Sequence, residues 1–256
     1  CGRSRLSAIA DHWGRVPPDL LLMPVDTIGA AGIHSGMQRM EQLALQSVTA
    51  GSASIGIPIL ANGANLAFSR GTFFQLGGFN NDRWASGDDM FLLQRMRRAR
   101  KRIDLLLDPD VVVTVRAEAT LKEAFQQRLR WAGKMRAYRE GRVMLAMIAG
   151  LFLPWILMIA TVISLDHVKA GEGLINTLLL LMSAWLLWSV PIIRLVASMD
   201  TFFAHAAQRN GRGSQRPKIR SLWLSTIPAL IAFMIYAPII AILSIFVRPI
   251  WKGRRI

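Results

Sequence analysis

The sequence predicts a layered α/β domain followed by an α-helical membrane region, and three observations carry that prediction. Uncharged apolar stretches at 143–165, 174–193 and 222–247 are long enough to cross a hydrocarbon core. Charge is divided unevenly: residues 1–142 hold 20 Lys+Arg and 13 Asp+Glu, the rest only 11 and 3. In the first half, runs of strand length alternate with helical apolar spacing. The whole chain of 256 residues is 52% hydrophobic, 18% charged and formally +15, with a mean hydropathy of +0.34. Much of the positive excess flanks the apolar runs, where anionic lipid headgroups are the nearest counter-charge, so the basic balance points to a membrane and not to nucleic acid. The single cysteine, Cys1, excludes an internal disulfide and a Cys-based zinc site.

Along the chain, residues 20–25 after Pro17-Pro18-Asp19 read as a buried strand. Met37, Met40, Leu43 and Val48 then recur at helical spacing over 37–48. Glycines 51, 56 and 63 mark a loop-rich stretch that leads to Asn62-Gly63-Ala64-Asn65. Gly77-Gly78-Phe79 is a turn, 82–87 a loop, and a helix opens near Asp88, where the dipole favours Asp88 and Asp89. Met90, Leu93 and Met96 face inward, and the cations from Arg95 to Arg102 form a solvated or membrane-facing end. Two β-like runs, 103–107 and 111–115, flank Asp108-Pro109-Asp110.

Residues 120–138 are amphipathic and cationic, with Phe125, Leu129 and Trp131 among Lys122, Arg128, Arg130, Lys134 and Arg136, as a helix in the headgroup plane requires. Three spans are expected beyond it, with a long basic loop between the second and third that carries Arg194, Arg209, Arg212, Arg216, Lys218 and Arg220 against Asp200. The positive-inside rule places that loop and the N-terminal domain in the cytoplasm of a multi-pass cell-membrane protein. Three crossings would leave the basic tail 248–255 outside, unless one apolar run is re-entrant.

Asn62-Gly63-Ala64-Asn65-Leu66-Ala67-Phe68-Ser69-Arg70, Gly77-Gly78-Phe79, Ser86-Gly87-Asp88-Asp89 and Gln127-Arg128-Leu129-Arg130-Trp131, followed by apolar spans, stand in an order that resembles the membrane-bound glycosyltransferases of family 2. Each motif is short, but four in order are specific. The resemblance implies the C-terminal part of a GT-A domain, a Rossmann-like nucleotide-diphospho-sugar transferase, ahead of an α-helical transmembrane region. Residues 1–119 would be its acceptor side, 120–142 the interfacial helix with the Gln-x-x-Arg-Trp motif, and 143–256 the transmembrane part. It also implies inverting transfer from a nucleotide-diphospho-sugar donor to a lipid or lipid-linked glycan acceptor. Asp88 where Glu is commoner, and Asn62 where processive members carry Cys, favour a single addition.

By the same resemblance Asp89 is the general base and Asp88 its supporting acid, because transfer to a hydroxyl needs a proton acceptor at the attacking oxygen. Gln127, Arg128, Arg130, Trp131, Asn62, Gly63 and Asn65 are the implied substrate contacts, Arg130 beside the leaving diphosphate and Trp131 as a stacking face. The family holds a divalent cation, Mg or Mn, through an Asp-x-Asp ahead of the acidic pair, and this sequence has none there, since Asp108-Pro109-Asp110 falls after the pair. The resemblance therefore implies an N-terminally truncated fragment cut near Cys1, with the metal motif upstream.

Plainer readings stand beside these. Asp88-Asp89 alone is a helix cap, Gln127 to Trp131 alone an interfacial helix end, and Asn62 and Asn65 alone are turn residues that satisfy backbone groups. A non-enzymatic membrane scaffold, or a subunit of a polysaccharide synthesis or export complex, is the second functional reading.

Overall fold

The computed structural model describes residues 4–29, 33–79, 87–134, 141–169, 173–211, 222–247, 250–251 and 254–255. Its globular part comprises α1 (Arg5–Arg15), β1 (Leu20–Leu22), β2 (Val25–Ile28), α2 (Ile33–Ser54), β3 (Leu66–Phe68), α3 (Arg70–Gln75), α4 (Asp88–Arg98), β4 (Ile103–Leu105), a 3-10 turn (Pro109–Val111), β5 (Val113–Arg116) and α5 (Leu121–Lys134). Three long helices follow, α6 (Gly141–Lys169), α7 (Leu174–Arg209) and α8 (Leu222–Phe246), and then a short antiparallel pair, β6 (Ile250–Trp251) and β7 (Arg254–Arg255).

The core is organised around β1, which lies between antiparallel β3 and parallel β4, with Leu20 opposite both Phe68 and Ile103. Strand side chains alternate between faces. Leu20 and Leu22 accordingly meet Leu92, Leu93 and Met96 of α4, whereas Leu21 meets Val111 and the Ile9 and Trp13 side of α1. The apolar run 20–25 is therefore two strands, broken at Met23-Pro24, and β2 pairs in parallel with β5 in a second sheet. Pro24 cannot donate, and its carbonyl accepts from the Val113 amide.

α2 extends well beyond the 37–48 stretch because its buried polar residues are structural. Gln46 accepts the Val25 amide, Gln42 donates to the Val25 carbonyl, and Gln38 brackets both backbone groups of Glu118. Those glutamines satisfy backbone that no neighbouring strand serves. The opposite side of α2 places Met40, Leu43 and Ala50 against Val196, Met199, Phe203 and Ala206 of α7. Stretch 194–209, expected as basic loop, is thus the second half of a helix that runs unbroken from Leu174. Its charges are used: Asp200 pairs with the Arg39 guanidinium, and Arg209 lies 3.0 Å from the Asp110 carboxylate.

Among the described residues one helix, Leu174–Arg209, is long and apolar enough to cross a bilayer, while apolar helical stretches Phe152–Ser164 and Ile231–Phe246 are shorter. Its first half is apolar and open, with Leu180 and Leu187 at 70% and 78% exposure. The three long helices are linked by indole hydrogen bonds, Trp185 Nε1 to Thr161 Oγ1 at 2.9 Å and Trp155 Nε1 to the Met234 carbonyl at 3.0 Å. The basic stretch 212–221 and residues 248–249 of the tail lie outside the described residues.

Candidate active site

The loop between α2 and β3 is built on Asn62, whose Oδ1 accepts the Ala64 amide while its carbonyl accepts the Asn65 amide, an Asx-type turn. Asn65 is 1% exposed. Its Nδ2 donates to the carbonyls of Pro24 and Val111, at 2.8 and 2.9 Å, and its Oδ1 accepts from Arg5. The Asn65 bonds tie the loop to α1, to the turn between β1 and β2 and to the 3-10 turn.

Between these two asparagines the Gly63 amide points outward and donates to Asp89 Oδ2 at 2.8 Å. Asp89 Oδ1 accepts the Met90 amide, also at 2.8 Å. Both carboxylate oxygens are thereby fixed from two elements. A Cβ at position 63 would stand 3.3 Å from Asp89 Oδ2, closer than ordinary packing, so the approach suits glycine. Gly87 precedes α4 at φ 106°, left-handed backbone that glycine adopts without strain, and the Phe91 amide bonds its carbonyl to start the helix. Asp88, in the same first turn, is exposed. Two turns along, Arg95 donates to the Gly78 carbonyl at 2.8 Å. It holds the Gly77-Gly78-Phe79 turn, where both glycines have positive φ and Phe79 lies edge-on to Phe73. Arg95 thus serves the fold, against its expected place at a solvated end. Residues 80–86, including Asp82 and Ser86, lie outside the described residues.

The second group stands on α5. Thr120 and Glu123 cap it reciprocally, each side chain accepting the other's amide, a Thr-x-x-Glu box readable in the sequence. Gln127 Nε2 donates to Glu118 and its Oε1 accepts from Arg128. Arg128 directs Nε and Nη2 to Glu41 Oε2, at 2.9 and 2.6 Å, with its guanidinium carbon 5.1 Å from the Trp131 ring centroid. Tyr236 of α8 adds a side-chain hydrogen bond to this Glu41 and Arg128 pair. Trp131 is 37% exposed. Partial burial holds the Arg130 guanidinium below its ordinary pKa, opposed by the nearby charge of Glu118, and it remains a cation.

The structure therefore joins Asn62, Gly63 and Asp89 in one loop-and-helix arrangement, and Gln127, Arg128 and Trp131 in another with Glu41, Glu118 and Tyr236. No local pattern in the sequence announced those last three, since their partners lie 87, 9 and more than 100 residues away.

Residues 15–255 match the family described as Glycosyl transferase family 21. The chain belongs to that family. No curated protein matches it. The family is 21 and not the family 2 that the motifs resembled: motifs this short do not separate one glycosyltransferase family from another. As a family 21 chain it carries a glycosyltransferase domain, which takes a sugar donor and an acceptor, and the match runs through both the sheet domain and the long helices.

Among the described residues no group of three or more His, Cys, Asp or Glu side chains could hold a metal ion.

Proposed function

We propose that this family 21 chain transfers a sugar, with inversion, from a nucleotide-diphospho-sugar to the hydroxyl of a lipid or lipid-linked glycan acceptor, with Asp89 as general base. The observation that carries the reading is the Asp89 carboxylate, fixed by two backbone amides at the opening of a helix and beside a glycine loop. A base held so needs no reorganisation to meet the acceptor hydroxyl. As the acceptor oxygen bonds to the anomeric carbon, its proton passes to Asp89 and the bond to the diphosphate oxygen breaks. Arg130, a partly buried cation, would balance the charge on the departing diphosphate. Asp88, exposed in the same turn, would support Asp89, and the open face of Trp131 would receive the acceptor. The domain takes a GT-A arrangement in this reading.

A lipid acceptor is supported by the apolar, open half of α7 and by α5 lying against α8; a multi-pass protein with its domain in the cytoplasm is the reading of the apolar stretches and the charge distribution along the sequence. Incubating membranes that contain the protein with radiolabelled nucleotide sugars tests this. Label should pass to the organic phase in a product of inverted anomeric configuration. Label that stays water-soluble refutes the lipid acceptor, and retained configuration refutes the mechanism.

A further inference from the structure

Val48, Ile55 and Ile57, at the C-terminal end of α2, are 42%, 73% and 52% exposed. The Ile55 amide still bonds the Gly51 carbonyl, which continues the helical path past Ser54. Glu41, Val48 and Ile55 follow one another at seven-residue intervals and so share one helix face. At its Glu41 end that face meets Tyr236 of α8. Direction along α2 is set by α7, because Arg39 pairs with Asp200 and Ser47 Oγ donates to the Leu195 carbonyl, so the two helices run antiparallel. Moving toward the end of α2 therefore means moving toward the open, apolar half of α7. Ile55 lies eight residues past Ser47, about 12 Å at the helical rise, which brings it near the level of Leu187. Leu186 and Leu187 there are 54% and 78% exposed.

We infer that the edge formed by Val48, Ile55 and Ile57 is immersed in the bilayer surface, a membrane contact of the sheet domain separate from the long helices and from α5. It rests on reading α7 as membrane-spanning. Lipid is the occupant because the patch stands at the level of the open, apolar half of α7, and no charged side chain stands from Val48 through Ile57 to bind a polar partner. The loop that leaves this edge reaches Gly63 six residues after Ile57, so the backbone that holds Asp89 is anchored at the lipid surface. An acceptor hydroxyl at headgroup depth would then need little lift to reach the base.

The test uses the whole chain with Cys1→Ser, single cysteines at Ile55→Cys or Ile57→Cys, an environment-sensitive fluorophore, and reconstitution into phosphatidylcholine and phosphatidylglycerol vesicles with or without brominated acyl chains. Leu187→Cys reports the core of α7, and Leu6→Cys, 76% exposed on α1, reports water. Labels at 55 and 57 should be blue-shifted and quenched by brominated lipid to an extent approaching that at 187, with none at 6. Quenching at 187 but not at 55 or 57 overturns the inference and leaves α7 in the membrane. Absence at all three overturns both. A blue shift without quenching shows a protein partner, such as a second copy, on this edge and equally overturns it.

Discussion

At the scale of single residues, Asn62, Gly63 and Asn65 divide the work of one loop. Asn65 lies in the core with both amide functions engaged, so the turn-residue reading describes its contacts. Replacing it by Leu takes the Asn65 donor from the Val111 carbonyl and leaves the Pro24 carbonyl with the Val113 amide alone, at roughly 1–3 kcal/mol for a buried group left unsatisfied. Thermal unfolding of the Asn65→Leu protein should begin at a clearly lower temperature than wild type. Gly63 instead serves Asp89. A methyl at position 63 presses on the carboxylate, so Gly63→Ala should lower kcat by up to about 10²-fold, the cost of a misplaced catalytic group, with donor affinity unchanged in an equilibrium binding assay. The acidic pair was legible because helix opening and motif order coincide on Asp88-Asp89. Which carboxylate is held was not, since the amide that holds Asp89 comes from 26 residues away.

At the scale of elements, the helices were read best where one apolar stripe determines them. α4 opens at Asp88 as its acidic first turn and its Met90, Leu93 and Met96 face predict. α2 and α7 were read short for one reason: polar residues that look solvated are partnered inside. Gln38, Gln42 and Gln46 replace a missing strand, and Asp200, which resembles a loop residue, meets Arg39 across a helix interface. The two side chains of that pair are 6% and 14% exposed. Breaking such a pair from one side leaves a charge in a poor environment, at roughly 3–5 kcal/mol. Arg39→Met should therefore destabilise the protein strongly in detergent, and Arg39→Met with Asp200→Leu should recover much of the loss, as read by thermal denaturation. Equal losses in the single and double variants would show that the pair does not join α2 to α7.

At the scale of the whole molecule, a sheet domain is fastened along the second half of a helix whose first half is apolar and open. Composition and the charge division made the two environments legible. They could not show one helix serving both, because the change of environment inside α7 depends on its packing against Met40, Leu43 and Ala50. The sheet itself is pinned at Asp19, which accepts from Thr72 of α3 and from the Arg102 amide ahead of β4. Burial pushes the Asp19 pKa up, but those hydrogen bonds and the charge of Lys101 outweigh it and hold the pKa below its ordinary 3.8. The charged form is thus favoured in the folded protein, and its contribution is complete above the ordinary value and lost as pH falls through the lowered one. Asp19→Asn should be less stable than wild type at neutral pH, with the gap closing below about pH 4 in a pH series of thermal unfolding.

The assignment of sugar transfer to Asp89 joins these scales, and one comparison tests it most directly. Asp89→Asn and wild-type protein, in the same membranes, are assayed for transfer from the accepted nucleotide sugar and for equilibrium binding of that donor. Loss of a positioned base should cut kcat by about 10²–10⁴-fold while donor affinity stays within a few-fold of wild type. Turnover near the wild-type rate in Asp89→Asn would contradict the assignment.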